Sequence, residues 1–415
     1  MPHVLHWTCD FGRPASMRDG WQKVRLGDVA IRRSDFTPVL ANELYRVVGV
    51  QRSGWGLMDR HPVRGDSMKF DKLMELRRDD LVYRTITAFE APSTVVMSDF
   101  EGAFVTPQTF PVYTLDRSRL LPLYMGLLTT SPVFHEEMAS RCVGTVLRRK
   151  TLSKSAFESI PLTLPCLSDQ HRMVDLITAI DDAVKAAEVE ADAAFALLES
   201  ARDLLIWGHH PSLSSLSTKA SIAGKLVNPT DGEYCELPHI GTERIRSGTG
   251  DLVGVVTAKE DAVTSGKFLH EAGTVVYSKI RPNLRKVAVP DWRGLCSADA
   301  YPMLPIGDGN VSFLRHLLLT RHFTDQAVAR SGRTKMPKVN RAELMSIQVP
   351  DIASQEQDSI ARTLDAIDLD RVATSAAASA LRTLRSNLLT VLLSGEHEIP
   401  ASYDKFRNLN EEAAT

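Results

Sequence analysis

The sequence is written twice, and any fold it adopts has to accommodate that duplication. Leu162-Thr163-Leu164-Pro165 leads through Gln170 to Ala179-Ile180-Asp181, then to Leu205 and Gly208. Ile347-Gln348-Val349-Pro350 leads through Gln357 to Ala366-Ile367-Asp368, then to Leu392 and Gly395. From the two glutamines onward the copies run at one constant offset, without gaps. Upstream the likeness thins but keeps its order. Asp80-Leu81-Val82-Tyr83 faces Thr274-Val275-Val276-Tyr277, Phe110-Pro111 faces Tyr301-Pro302, Leu127-Leu128-Thr129 faces Leu318-Leu319-Thr320, and Gly144 faces Gly332. Each repeat reads as a variable mixed α/β body followed by a long helix.

The first helix is expected from about Ser168 to Trp207. Its inner positions are Met173, Ile177, Ile180, Val184, Ala187, Ala191, Ala194, Leu198, Ala201 and Leu205. Steps of four and three alternate without a break, which is the heptad seam of a coiled coil. Ser168 can cap the start and Gly208 can end it; about 38 residues at 1.5 Å each span roughly 57 Å. The second helix, about Ser354 to Leu393, keeps the seam less well. Ile360, Leu364, Ile367, Leu381, Leu388 and Leu392 fit, but Arg371 and Arg385 fall on the same track. A shift of register toward Val372 and Leu384 is the expected remedy. Two narrow seams of this length favour the helices packing on each other, antiparallel, over two separate amphipathic surface helices.

At 415 residues, 43% hydrophobic and 24% charged, the chain is sized for two or three globular domains. Its first twenty residues hold no apolar run, so no signal peptide is expected. No stretch reaches the roughly 18 apolar residues of a membrane span, so a cytoplasmic protein without membrane contact is expected. Five cysteines (Cys9, Cys142, Cys166, Cys235, Cys296) are scattered without a CxxC. That pattern argues against a disulfide framework or a cysteine-type zinc site, and for reduced, mostly buried thiols.

The net charge of −2 gives no argument for a nucleic-acid partner, so the location of the charge has to. The first coil segment is acidic, and the rest of the chain is net basic without it. Arg141, Arg148, Arg149, Lys150 and Lys154 stand just before that coil with no acid among them. At the matching place in repeat two stand Arg330, Arg333, Lys335, Lys338 and Arg341. Lys279, Arg281, Arg285 and Lys286 follow the Tyr277 strand, and Arg84 follows Tyr83. Any one of these is more ordinarily a solvated surface charge. Two matched runs at one structural address point instead to contact with the phosphates of double-stranded DNA, whose affinity comes from counterion release.

Enzyme motifs are missing. There is no GxxxxGK[ST] loop, and Ser247 to Gly254 has the wrong spacing for GxGxxG and reads as a flexible turn. His135-Glu136-Glu137-Met138-Ala139 lacks the second histidine of HExxH, and His209-His210 sits in a linker. No GxSxG elbow and no Asn/Asp-Pro-Pro-aromatic tetrapeptide occurs. No catalytic residue, metal site or bound cofactor is therefore expected on this chain.

From Trp21 to about Gly395 the sequence resembles the specificity (S) subunits of type I restriction–modification systems. The junctions carry the likeness best: Ile160-Pro161-Leu162 through Pro165, Leu167 and Gln170, and Ile347 through Pro350 to Gln357. Lys23 to Val29 and Val276-Tyr277-Ser278-Lys279-Ile280-Arg281-Pro282-Asn283-Leu284 add to it. Gln348 and Cys166 depart from the family's prolines, and the coil is rich in alanine. The resemblance implies two target recognition domains, each reading half of a split DNA sequence, with the helical arms fixing the unread gap. It also implies two methyltransferase (M) subunits docked on the arms, bringing S-adenosylmethionine to the target adenines, and nuclease/translocase (R) subunits for cleavage. The alternatives are a decoy or orphan relative, a coiled-coil scaffold that binds proteins, and a DNA-modifying enzyme.

The expected fold class is α+β. An N-terminal extension (1–20) precedes recognition domain 1 (21–160) and a first helical arm (161–208). A linker (209–220) leads to recognition domain 2 (221–347), a second arm (348–395) and a polar, partly disordered tail (396–415).

Overall fold

A computed structural model describes residues 20–146, 149–208, 212–332 and 335–404. The chain divides into two compact units, Met1–Val184 with Ala380–Thr415, and Lys185–Ser379. The two boundaries fall inside the long helices, Leu167–Trp207 and Ser354–Leu393, so each helix belongs in part to both units.

The duplication in the sequence is a duplication of topology. Unit 1 holds an antiparallel four-stranded sheet in the order Ser93–Val95, Leu81–Tyr83, Val112–Leu115, Ala30–Arg32. Unit 2 repeats it as Val287–Ala288, Val275–Ser278, Ala300–Pro305, Ala220–Ile222. Leu81-Val82-Tyr83 and Val275-Val276-Tyr277-Ser278 are wholly buried, as suits β-branched and aromatic residues covered on both faces. A second pairing recurs at the junctions. Gln22–Arg25 lies against Pro161–Leu164, and Leu213–Ser215 against Gln348–Pro350. The remaining strands differ. Unit 1 adds a three-stranded sheet of Phe104–Val105, Lys72–Glu75 and Thr37–Pro38, and unit 2 a five-stranded sheet running from Lys225–Val227 to Val256–Thr257.

Short helices recur with matching caps. Ser131 accepts from the Phe134 amide ahead of Pro132–Ser140, and Thr320 accepts from the Phe323 amide ahead of Arg321–Ala329. Ser153 and Asn340 cap Lys154–Glu158 and Arg341–Met345 in the same way. The two glutamines have one job. The Gln170 amide donates to the Pro165 and Arg119 carbonyls at 3.0 and 2.9 Å, and its oxygen accepts from the Leu121 amide at 2.9 Å. Gln357 donates to the Ile352 carbonyl at 2.8 Å and accepts from the Asn310 amide at 3.3 Å. Each glutamine thus ties the start of a long helix to the start of the first short helix of its unit.

On the first long helix, none of the ten expected seam positions from Met173 to Leu205 is fully exposed. In unit 1, Met173, Val174 and Ile177 share a core with Leu389 and Leu392, with Leu388 packed against it. In unit 2, Leu198 and Ile206 share a core with Ile360, Ala361 and Leu364, with Leu205 and Ile367 at its margin. The early part of one helix meets the late part of the other in both cases, as antiparallel pairing requires. Ile180, Val184 and Leu381 are half-buried.

The expected shift of register does not occur. Val372 and Leu384 are 45% and 52% exposed, whereas Arg371 is 5% exposed. The seam continues through both arginines because each has a carboxylate waiting. Arg371 makes a double hydrogen bond to Asp251 at 2.8 and 2.9 Å and donates to Asp368 at 2.6 Å. Arg385 reaches Asp181 with two bonds at 2.7 and 3.1 Å. A guanidinium bound bidentate to a carboxylate can occupy a seam position that a lone cation could not.

Three other expectations change. The glycine-rich segment of unit 2 is not a loose turn. Its Gly248 and Thr249 carbonyls accept from Arg202 and Arg315 at 3.0 and 2.9 Å, and its Asp251 holds Arg371. Residues 396–404 are not loose either: Ile399 is buried in the unit 1 core, Tyr403 packs on it, and Asp404 accepts two hydrogen bonds from Arg172. Of the described thiols only Cys296 is buried, and Cys166 is exposed. Cys9 and His209-His210 lie outside the described residues. Among the described residues no helix is long and apolar enough to cross a membrane.

The core of unit 2 carries a pH liability. His316 is fully buried; its Nδ1 accepts from Arg202 at 3.0 Å, and its Nε2 faces Asp365 at 3.0 Å. Burial lowers its pKa from 6.5 to about 4; the Asp365 hydrogen bond opposes this, and Arg202 and Arg315 add to the fall. The unfolded chain therefore takes up a proton below about 6.5 that the folded chain refuses until about 4. Stability contributed by the neutral imidazole is full above that window and falls as pH drops through it. His239 and His270, also held down by burial, act in the same direction. Between pH 7 and pH 5, unit 2 should lose about 2 kcal/mol through His316 alone. Denaturant unfolding at the two pH values checks this, and His316→Gln should flatten the dependence.

Candidate nucleic-acid interface

In each unit the central strand runs directly into a turn that most sequences avoid. After Tyr83 comes a one-turn 3-10 helix, Ala88–Glu90, flanked by Thr87 at φ 54° and Ala91 at φ 48°. After Tyr277 comes another, Pro282–Leu284, flanked by Arg281 and Arg285, both at φ 48°. A left-handed conformation costs an L-residue about 1–2 kcal/mol. It is met four times here, at the same two places in both repeats. Strain that recurs at one address is characteristic of segments held for function.

These turns are where the separate basic clusters of each repeat come together. In unit 1, Ile86 bridges Thr151, and the Leu152 amide donates to the Thr85 carbonyl at 2.9 Å. In unit 2, Ile280 bridges Lys338, the Val339 amide donates to the Lys279 carbonyl at 3.0 Å, and the Arg281 amide donates to the Pro337 carbonyl at 2.8 Å. Each basic run is itself folded back: Val143 pairs with Thr151, and the Gly332 amide meets the Lys338 carbonyl. A basic loop laid against a strained turn is thus built once in each unit.

The expected contact residues fall into two groups there. Arg149, Arg281, Lys335 and Arg341 are exposed, Lys150 and Lys154 half-exposed, and among the described residues no ion pair engages any of the six. The others have partners. Arg84 binds Glu90 at 2.8 Å, Arg141 binds Glu137, and Lys338 binds Asp299 at 2.9 Å. Lys279 lies 5.1 Å from the centre of the Tyr301 ring. Lys286 donates to the Thr242 carbonyl at 2.6 Å, and Arg330 to the Gln326 carbonyl at 3.1 Å. Arg285 is drawn inward to the buried carboxylate of Glu199, which also faces Arg202. Arg148 and Arg333 lie outside the described residues.

Reading the sequence alone missed the strained turns, since Thr87, Ala91, Arg281 and Arg285 carry no glycine signal. The matched Ile86 and Ile280, each three residues after the repeated tyrosine, were the available clue. Among the described residues no group of three or more His, Cys, Asp or Glu side chains is placed to hold a metal ion.

Comparison with known proteins points the same way. The chain is 41% identical over 146 residues to the type I restriction enzyme EcoDI specificity subunit of Escherichia coli, covering 35% of this chain and 32% of that one. The match thus spans about a third of the curated relative's length. A chain from a structure of complex assembly and conformational transition in the type I R-M system is similar at a TM-score of 0.59 and 16% identity, over 92% of this chain and 100% of that one. The S subunit of the type I restriction-modification system from M. genitalium is similar at a TM-score of 0.53 and 14% identity, over 90% and 96% of the two chains. No protein-family model matches the chain. The resemblance to type I specificity subunits is borne out, and with it the α+β fold of two mixed bodies and paired long helices.

Proposed function

We propose that this chain is the DNA-specificity subunit of a type I restriction–modification complex, with each unit reading one half of a two-part target. The observation that carries the reading is the repeated interface: a basic loop bridged to a left-handed turn, at the same address in both units. Phosphate contacts from such loops fix the protein's position on the duplex, and side chains reaching base edges supply the sequence. Two similar readers on one chain ask for two half-sites at a set distance, as dimeric readers do. The paired long helices fix the unread gap in this reading.

The chemistry belongs to partners. Two methyltransferase subunits dock on the helices and bring S-adenosylmethionine to adenines of the target, and nuclease/translocase subunits join them for cleavage. This chain positions the DNA and makes or breaks no bond.

Co-expression with its methyltransferase, followed by single-molecule sequencing of host DNA for N6-methyladenine, tests the proposal. A split motif with a constant gap, lost on deletion of this chain, is the expected result. A stable complex that adds no methylation would overturn it in favour of a decoy or scaffold.

A further inference from the structure

We propose that Trp55 is a base-contacting residue of the first unit, packing its indole on an apolar base edge, a thymine methyl, of the half-site bound there while Arg52 holds the adjoining phosphate. The inference rests on the DNA-reading role proposed above and names a residue that the basic clusters did not include.

Trp55 is 61% exposed, an uncommon position for the side chain with the most apolar surface to hide. Its loop is built to keep it there. Ser53, Gly54 and Gly56 all have positive φ, at 54°, 72° and 92°. The Trp55 amide donates to the Arg52 carbonyl at 3.0 Å, and the Gln51 amide closes the loop on the Gly56 carbonyl at 3.0 Å. The Gln51 side chain donates to the Leu57 carbonyl at 3.1 Å. A side chain at Gly54 would come within 2.5 Å of the Thr129 carbonyl, so the loop sits hard against the helix Pro122–Thr129. An indole on so tied a loop loses little freedom on meeting a ligand.

The location selects the ligand. The Ser53 amide donates to the Glu90 carbonyl at 2.9 Å, which joins the loop to the left-handed turn of unit 1. Thr85 and Ile86, which lead into that turn, hold the basic run at Leu152 and Thr151. The carboxylate of Glu90 is already neutralised by Arg84. The Arg52 guanidinium lies over the indole, 4.7 Å from its centre. A cation beside an exposed apolar ring, next to further cations, matches a ligand that sets apolar base edges between phosphates, as a DNA groove does. A protein surface does not ask for that alternation. Among the described residues unit 2 has no exposed tryptophan, since Trp207 and Trp292 are both half-buried. The contribution is therefore confined to one half-site.

The test uses the full chain assembled with its methyltransferase and a labelled duplex carrying its methylation motif, titrated over a range of salt. Trp55→Ala should weaken binding at least tenfold at 0.15 M salt with an unchanged salt slope, because no charge is lost. Trp55→Phe should restore most of it, and Arg52→Ala should reduce the slope by about 1. Methylation by the Trp55→Ala complex should become permissive at positions within one half-site only. The thermal midpoint should stay at the wild-type value, which separates contact from folding. Binding equal to wild type overturns the inference. So does loss of methyltransferase association with unchanged DNA affinity in the complex that still forms, which would mark Trp55 as a protein-docking residue. If the wild-type complex itself binds no specific sequence, the DNA-reading proposal fails first and this one falls with it.

Discussion

Arg202→Met should destabilise the second unit by about 3–5 kcal/mol, the cost of breaking a buried ion pair from one side. Arg202 is 0% exposed and lies on the first long helix. Its guanidinium and Nε groups donate to Glu199 at 3.1 Å, to the Gly248 carbonyl at 3.0 Å and to His316 at 3.0 Å. Burial pulls its pKa down to about 10, with Arg315 adding to the fall, which still leaves it charged at neutral pH. Methionine would fill much of the volume and satisfy none of these acceptors, and Glu199, 3% exposed, would keep only Arg285 and the more distant Arg321. Replacing both members, Glu199→Met with Arg202→Met, should recover only the part of the loss that comes from the stranded Glu199 carboxylate, because the Gly248 carbonyl and His316 still lack their donor. An apolar pair of similar size needs no partners, but Arg285, only 21% exposed, loses its carboxylate as well. Hydrogen exchange gives the measurement. Protection of the central strand Val275–Ser278 should fall in the single variant and return in part in the double, with Leu81–Tyr83 unchanged in both. Equal protection in the single variant would show that the network adds no stability.

The same network explains where a sequence reading succeeds and where it stops. Periodicity is local, so the seam from Met173 to Leu205 and the start signals at Gln170 and Gln357 are visible along the chain. The duplication carries topology with it, because Leu81-Val82-Tyr83 and Val275-Val276-Tyr277 fill one place in two sheets. Arg371 and Arg385 mislead because a hydrophobicity pattern scores a residue alone. Asp251 is 120 residues from Arg371, and Asp181 is 204 from Arg385, so the groups that make them acceptable are out of view. The tail fails for a like reason: Asp404 and Tyr403 are polar on paper, but Asp404 is held by Arg172 and Tyr403 packs on the unit 1 core. The left-handed turns are the hardest case. Backbone strain leaves a trace in sequence when glycine relieves it, and here Thr, Ala and two Arg carry it instead. The basic clusters were legible as clusters. That Arg84 belongs with Lys150, or Lys279 with Lys338, depended on bridges formed only in the fold.

Lys335→Ala, Lys338→Ala and Arg341→Ala together should weaken DNA binding on the order of 100-fold at 0.15 M salt. Each phosphate contact contributes about 0.9 to the slope of log K against log salt, so losing three lowers the slope by about 2.7. All three side chains are exposed, so the substitutions remove charge with little effect on packing. Lys338 is the informative member. Its amine already meets Asp299 at 2.9 Å, so it competes for phosphate against a carboxylate that the other two lack. If Asp299 keeps it, Lys338→Ala alone should leave the slope unchanged, and the triple variant should lower it by only about 1.8, all of it from Lys335 and Arg341. Asp299→Asn should then raise affinity by releasing Lys338. The effect should be uniform across DNA sequences, because phosphates carry no base identity, and the methylated motif should keep both halves while its occupancy drops. A changed motif with an unchanged slope would mean that these residues read bases and that the phosphate anchor of the second unit lies elsewhere.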